Sequence, residues 1–268
     1  MRTSDLFEEM YLGMSSNKVR SGLTMLGIVI GIASVIAMLS IGQGAKAQIE
    51  ANIQSIGSNL LLVMPGAQRG FGSAVNAGRG SAQTLTREDA NALAGLDGVL
   101  AVAPESGQRI QITARGTNTN TQVMGTTPQY LAVRNVTIGE GSFFTDTQVA
   151  SRAKVAVLGP TTRDDLFGEG ASAVGQTIRI KNIIFTIIGV TASKGGSGFT
   201  NQDDMIFVPI STMAAYLSGS ENVSTIGVQA KDSASMSIAQ QEITDALLAR
   251  HNIASAAAAD FSVLNQAD

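Results

Sequence analysis

The sequence predicts an α+β protein: an N-terminal transmembrane helix that continues into a stalk, then an α+β lobe with a β-rich lobe inserted in it. Three observations carry that prediction. Ser21 to Ala45 is a 25-residue stretch without a charge, and about 20 apolar residues suffice to cross the ~30 Å hydrocarbon core of a bilayer. Beyond it, apolar residues recur every three or four positions from Ile41 to Leu60, which is one face of a helix. Past Pro65 the texture turns to short apolar runs punctuated by glycine, with helical patterns near both ends of the region, as expected of strands with a few packed helices.

The apolar run has a competing reading as a cleaved signal peptide. Ala45 and Ala47 supply an A-x-A-like pair, and Lys18 and Arg20 supply positive charge. A secretory apolar region is about 7–15 residues long and follows a basic leader, whereas this run is longer and is preceded by Asp5, Glu8 and Glu9. A retained helix is therefore expected over residues 21–43. Arg2, Lys18 and Arg20 lie before it and Lys46 alone lies directly after it, so by the positive-inside rule the N-terminus is cytoplasmic. The main domain then faces the periplasm or cell exterior across a bacterial-type cytoplasmic (inner) membrane. Residues 1–20 form a cytoplasmic or interfacial segment. In it Leu6, Phe7, Met10, Tyr11 and Met14 oppose Asp5, Glu8 and Glu9, which suits either a helix lying in the interface or an ordinary chain end.

Within the span Gly27 and Gly31 form a G-x-x-x-G pair, with Ser34 one turn on. Small residues let a second helix approach closely, although such pairs also arise by chance in glycine-rich membrane helices. The stalk, residues 44–58, continues the stripe through Ile41, Ala45, Ile49, Ile53 and Ile56, and no proline occurs before Pro65. One helix from Ser21 to Gly57 would run roughly 55 Å, nearly half of it beyond the bilayer core.

In the outer region Asn59–Met64 reads as a buried strand, and residues 66–83, rich in Gly, Ser and Ala, as a mobile loop. Thr86 with Asp89 three positions on forms an approximate capping box for a helix ending near Gly95. Strands follow at Val99–Ala103, Gln108–Ala114 and Thr121–Gly125, the last two joined by a turn over Arg115–Asn120. Short strands at Lys154–Leu158, Thr177–Ile180, Ile183–Val190 and Met205–Val208 mark the inserted lobe, residues 126–225. Ile226–Gln229 is a further strand, and Ser235–Arg250 a helix with Ile238, Ile243, Ala246 and Leu247 inward. Residues 59–125 and 226–268 thus make the first lobe.

Composition excludes several functions. Charged residues are 15% and aromatics 4%, with a net charge of −3, so no nucleic acid partner is expected. No G-x-x-x-x-G-K-[ST] loop occurs, which puts any ATP hydrolysis in a partner. With no cysteine and only His251, Cys/His nucleophiles and clustered His metal sites fall away; no catalytic, cofactor or metal residue is expected. His251 ends the last helix, where a cation suits the dipole, and is given a structural role. Lys194–Gly198 has the look of a phosphate cradle without a helix start behind it, and Asp164-Asp165 and Asp203-Asp204 read as solvated turns. Asn135-Val136-Thr137 and Asn222-Val223-Ser224 fit a glycosylation pattern that matters only in a eukaryotic secretory pathway.

Several segments together resemble MacB-type ABC transporter permeases: IGQGAKAQIEANIQSIGSNLLLVMPG, the pair GEGSFFTD and KVAVLG, VGQTIRIKNIIFTIIGV, FVPISTMAAYL, and ARHNI followed by DFSVL. The resemblance covers essentially the whole chain in the family's order. It implies a porter-like first lobe and a subunit of an export or mechanotransmission system. It also implies a dimer with a second permease copy, an ABC ATPase partner and a periplasmic adaptor. Such permeases have four membrane helices, the last three following the outer domain, so those helices are expected from the remainder of the protein or from a companion chain. A lipoprotein-releasing or cell-division permease shares this plan. From a different class, a single-span tethered sensory or adhesion domain also fits the layout of one span and one outer domain.

Overall fold

The computed structural model describes residues 18–56, 59–66, 83–194, 196–197, 200–232 and 234–265, with the side chains of 47–56, 196–197 and 200–201 left aside. The predicted interfacial residues Leu6 to Met14, and most of the predicted loop over residues 66–83, lie outside these. Two compact units divide at Asn52 and Ile53. Helix α1, Lys18–Ile56, is 39 residues without a break, about 58 Å at the usual rise.

The second unit is built on a sheet in the order β12-β1-β11-β2-β3-β10-β5-β7-β4. Its first part comprises β1 (Leu60–Pro65), β2 (Val99–Ala114), β11 (Thr225–Ala230) and β12 (Phe261–Asn265), all antiparallel. Helices α2 (Arg87–Leu93) and α7 (Met236–Arg250) contribute to one core with it, through Leu93, Ala239, Ile243 and Leu247 against Leu61, Val63, Ile226 and Val228. The predicted capping box starts α2: the Thr86 side chain accepts from the Asp89 amide, and the Asp89 carboxylate accepts from the Thr86 amide.

The remaining strands are β3 (Thr117–Thr126), β4 (Ile138–Gly141), β5 (Val155–Leu158), β6 (Thr177–Ile180), β7 (Ile183–Thr191) and β10 (Met205–Pro209), with a separate small pair β8 (Gly196–Ser197) and β9 (Thr200–Asn201). Six strands pair in a ring: β2 with β3, β3 with β10, β10 with β5, β5 with β7, β7 with β6, and β6 back to β2. The ring is a small closed barrel, which removes the free edges that a short-stranded sheet would expose. Ile112, Ile178, Ile180, Phe185, Ile187 and Ile206 fill its core and are essentially without solvent contact.

Strand β2 is longer than the sequence suggests. Val99–Ala103 and Gln108–Ala114 are expected as separate strands, yet one 16-residue strand runs through both. Residues 99–105 pair with β11, and residues 106–114 pair with β3. Pro104 lies where pairing passes from one neighbour to the other, so its missing N–H leaves no ladder bond unmade. Helix α7 also differs from expectation. Its buried stripe is Met236, Ala239, Ile243 and Leu247, and Ile238 is 59% exposed. The spacing set by Met236 turns Ile238 about 100° away from Ala239.

Candidate functional site

The predicted membrane residues lie on one continuous helix. Every large apolar side chain described on α1, from Val19 to Ile41, is more than half exposed. So apolar a surface on all sides is stable only in lipid or against other helices. Gly27 and Gly31 have open space where a Cβ would stand. The Ser34 hydroxyl donates to the Gly31 carbonyl at 2.9 Å, and the Thr24 hydroxyl is likewise satisfied by Arg20 and Ser21 carbonyls. No polar side chain of this face therefore needs a partner in hydrocarbon. Ile41 and Ala45 are exposed, and Ile49, Ile53 and Ile56 lie on the helical backbone with side chains outside the description.

Where the two strand systems meet on β2, a buried ion pair holds them. The Arg134 guanidinium donates through two nitrogens to the Glu105 carboxylate at 2.7 and 2.8 Å, with 15% and 6% of the two side chains exposed. The Glu105 carbonyl accepts from the Ser224 amide and hydroxyl, and the Thr126 hydroxyl donates to the Pro104 carbonyl. Lys194 Nζ donates to the Arg134 carbonyl at 2.7 Å. Burial, followed by the charge of Arg134, pushes the Lys194 ammonium below its ordinary range. Burial and the neighbouring Glu105 charge push the Tyr130 phenol far up. Burial alone would depress Arg134; Glu105 outweighs it and raises it. Composition and spacing gave no warning of this pair; the only signal was one acid directly after the apolar first part of β2, Val99–Pro104.

His251 is the C-cap of α7. Its Nδ1 lies 2.8 Å from an Asp260 carboxylate oxygen and its Nε2 3.4 Å from Asp89, which also accepts from Arg250 Nε at 2.7 Å. These contacts tie the end of α7 to the start of α2 and to the lead-in of β12. Burial would raise the Asp89 carboxyl, but bonds from Arg250, Thr86 and His251 outweigh it and hold it below its ordinary value of 3.8. A carboxyl depressed on folding stabilises fully above that ordinary value, and the contribution is lost as pH falls through the lower folded value. Asp89→Asn is accordingly expected to cost about 2 kcal/mol at pH 7, the scale of a charged hydrogen bond, with the deficit closing below about pH 4. Thermal melts of both forms from pH 7 to pH 3 check this, and a deficit independent of pH would contradict it.

The two acidic pairs behave differently from each other. Asp164, expected in a solvated turn, lies half-buried in the helix Pro160–Phe167, where its carboxylate accepts from Arg163 Nε and from the Gly170 amide just past the helix end. Asp203, expected in a solvated turn, is buried, and the correction has a clear cause: its carboxylate accepts from the Ser193 hydroxyl at 2.7 Å and the Lys194 amide at 2.9 Å. Its carbonyl accepts the Thr161 amide at the start of helix α5 (Pro160–Phe167). Gly159 is required beside it, because a Cβ there would collide with that carbonyl. Asp204 joins Thr121 and Thr162. Both carboxylates are thereby organisers of the barrel. Gly195 and Gly198 of the Lys194–Gly198 segment lie outside the described residues.

An open cleft of about 580 Å³ lies beside the junction. Its walls come from α2, the first half of β2, the residues directly after β3, helix α4 (Asp146–Ala150) with Arg152 beyond it, and the residues directly after β10. It went unread in the sequence because its lining is drawn from five distant segments.

A model of the MacB-like periplasmic core domain matches residues 21–246. The macrolide export ATP-binding/permease protein MacB of Azoarcus sp. (strain BH72) is 39% identical over 255 residues, covering 95% of this chain and 37% of that protein. The protein of the same name from Bdellovibrio bacteriovorus is 37% identical over 269 residues, covering 98% and 41%. The chain thus spans about two fifths of the length of these curated relatives. Among solved structures, the periplasmic region of MacB from Actinobacillus actinomycetemcomitans superposes with a TM-score of 0.66 at 22% identity, over 81% of this chain and 92% of that one. The extracellular domain of the noncanonic ABC-type transporter YknZ from Gram-positive bacteria gives 0.62 at 20% identity, over 77% and 100%. At such identities the two structures establish a shared fold.

Proposed function

Because this chain belongs to the MacB-like periplasmic core domain family, we propose that it is the N-terminal part of a permease subunit whose outer domain is moved by ATP hydrolysis in an ABC ATPase. The observation that carries the proposal is the unbroken course of α1 from its apolar segment through Ile56. A helix satisfies its own backbone hydrogen bonds, so it can carry displacement out of the bilayer without unfolding. In this reading residues 21–43 cross the membrane and 44–58 form the stalk. Residues 59–105 with 226–268 make the porter-like lobe, and the inserted lobe, expected over 126–225, takes in 106–125 as well, since these residues pair within the barrel.

Gly27, Gly31 and Ser34 pack against another membrane helix, from the remaining spans or from the second permease copy, and Ile41, Ala45, Ile49, Ile53 and Ile56 form the stalk's packing stripe. The N-terminus is cytoplasmic and the outer domain meets a periplasmic adaptor. Support comes from the positive flank at Lys18 and Arg20 and from relatives whose names join ATP binding and permease in one protein.

Topology is tested with a reporter fused after Asp268. Alkaline phosphatase at that point is expected to be active and green fluorescent protein dark, with the whole chain in the membrane fraction. A mature soluble chain starting near Gln48 would instead establish a cleaved leader.

A further inference from the structure

The transport reading makes no use of the cleft beside the lobe junction. We propose that it holds a small amphiphile with an anionic head, a carboxylate or a phosphate, and an apolar body. Its volume, about 580 Å³, falls within the range of small-molecule sites. The described lining carries two cations, Arg87 and Arg152, against one carboxylate, Asp146. Arg152 makes no ion pair among the described residues, and Arg87 has only a long, exposed contact of 3.7 Å with Glu221. Exposed pairs of that kind contribute little, so both guanidinium groups are available to a planar or tetrahedral anion, which they can grip through paired N–H groups.

The other features of the wall suit the rest of such a molecule. Leu100 lines the cleft and is 61% exposed. A large aliphatic side chain left open on a strand beside Arg87 and Arg152 is explained if an apolar group covers it. Two guanidinium groups and an apolar wall thus converge in one cavity. The site needs neither the ATPase nor export, so its failure and the failure of the transport reading are separable.

The chain contains no cysteine, so Asn91→Cys, at an exposed position of the lining, can carry a single environment-sensitive fluorophore in the full chain held in lipid nanodiscs. Octyl phosphate, octanoate, octylammonium, octyl glucoside and inorganic phosphate are titrated in parallel. Saturable responses to octyl phosphate or octanoate are expected, at least tenfold tighter than to the other three. Which of the two anions binds tighter identifies the head group. Arg152→Ala should weaken binding about tenfold with Arg152→Lys recovering part, and Leu100→Asp should remove the advantage over inorganic phosphate. Both positions are exposed, so unchanged melting temperatures should accompany these losses. A response that does not saturate, that is equal for octylammonium, or that survives Arg152→Ala reports partition into the bilayer and overturns the proposal, as does inorganic phosphate binding as tightly as octyl phosphate.

Discussion

Ile49→Pro, placed in a full-length permease with its ATPase and partner copy, is expected to abolish export while ATP binding persists and hydrolysis runs uncoupled. Ile49 lies within α1, which is helical from Lys18 to Ile56. Proline there removes the amide that bonds the Ala45 carbonyl and drives its ring against the same carbonyl, at a cost of about 3 kcal/mol or more. The backbone on either side stays helical, so the protein remains in the membrane and the cytoplasmic ATPase is untouched. What is lost is the stiffness between span and outer domain. Gln48→Ala, at the neighbouring position, substitutes the best helix former and should leave both activities unchanged. Export and ATP hydrolysis measured side by side at matched membrane abundance decide the matter. Wild-type export from Ile49→Pro would make the segment a passive linker.

The largest effect on stability is expected from Glu105→Ala. It strips a buried arginine of its only carboxylate partner among the described residues, and breaking a buried pair from one side costs about 3–5 kcal/mol because the remaining charge stays desolvated. For a domain of this size that corresponds to a melting temperature lower by roughly 10 °C. Replacing both members, Glu105→Met with Arg134→Met, leaves no uncompensated charge and should recover most of the loss. Calorimetry on the three forms separates the cases. A single variant that melts within about 2 °C of the parent would mean that water reaches Arg134, and the pair would then be no latch between the two strand systems.

What the sequence disclosed follows from range. The charge-free run, the capping box of Thr86 and Asp89, and strands such as Thr177–Ile180 are local patterns, and the structure has them at nearly the expected residues. The closing pairs of the barrel are not local: β6 reaches back to β2 across more than sixty residues, through two register pairs, Ile112 with Ile180 and Thr113 with Arg179. Strand β4, Ile-Gly-Glu-Gly, has a composition that reads as loop; it is a strand because the edge of β7 is there to pair with it. Asp203 shows the same limit for side chains, since an acid in a polar run reads as solvated until Ser193 and Lys194 are brought over it. The membrane-helix residues are the reverse case. Their pattern was legible from composition alone, while the helices that would pack on Gly27 and Gly31 belong to other segments or other chains.

The coupling of membrane and outer domain is tested most directly by distance. A single nitroxide at Glu169→Cys, exposed in the turn after α5, reports the separation between two copies of the outer domain by pulsed electron resonance in the assembled transporter, any cysteines of its other parts having been replaced. ATP binding is expected to shift that distance distribution, hydrolysis to restore it, and Ile49→Pro to abolish the shift while ATP still binds. Identical distributions with and without ATP, or a shift that persists through the proline, would contradict a helix that carries motion from the ATPase to the outer domain.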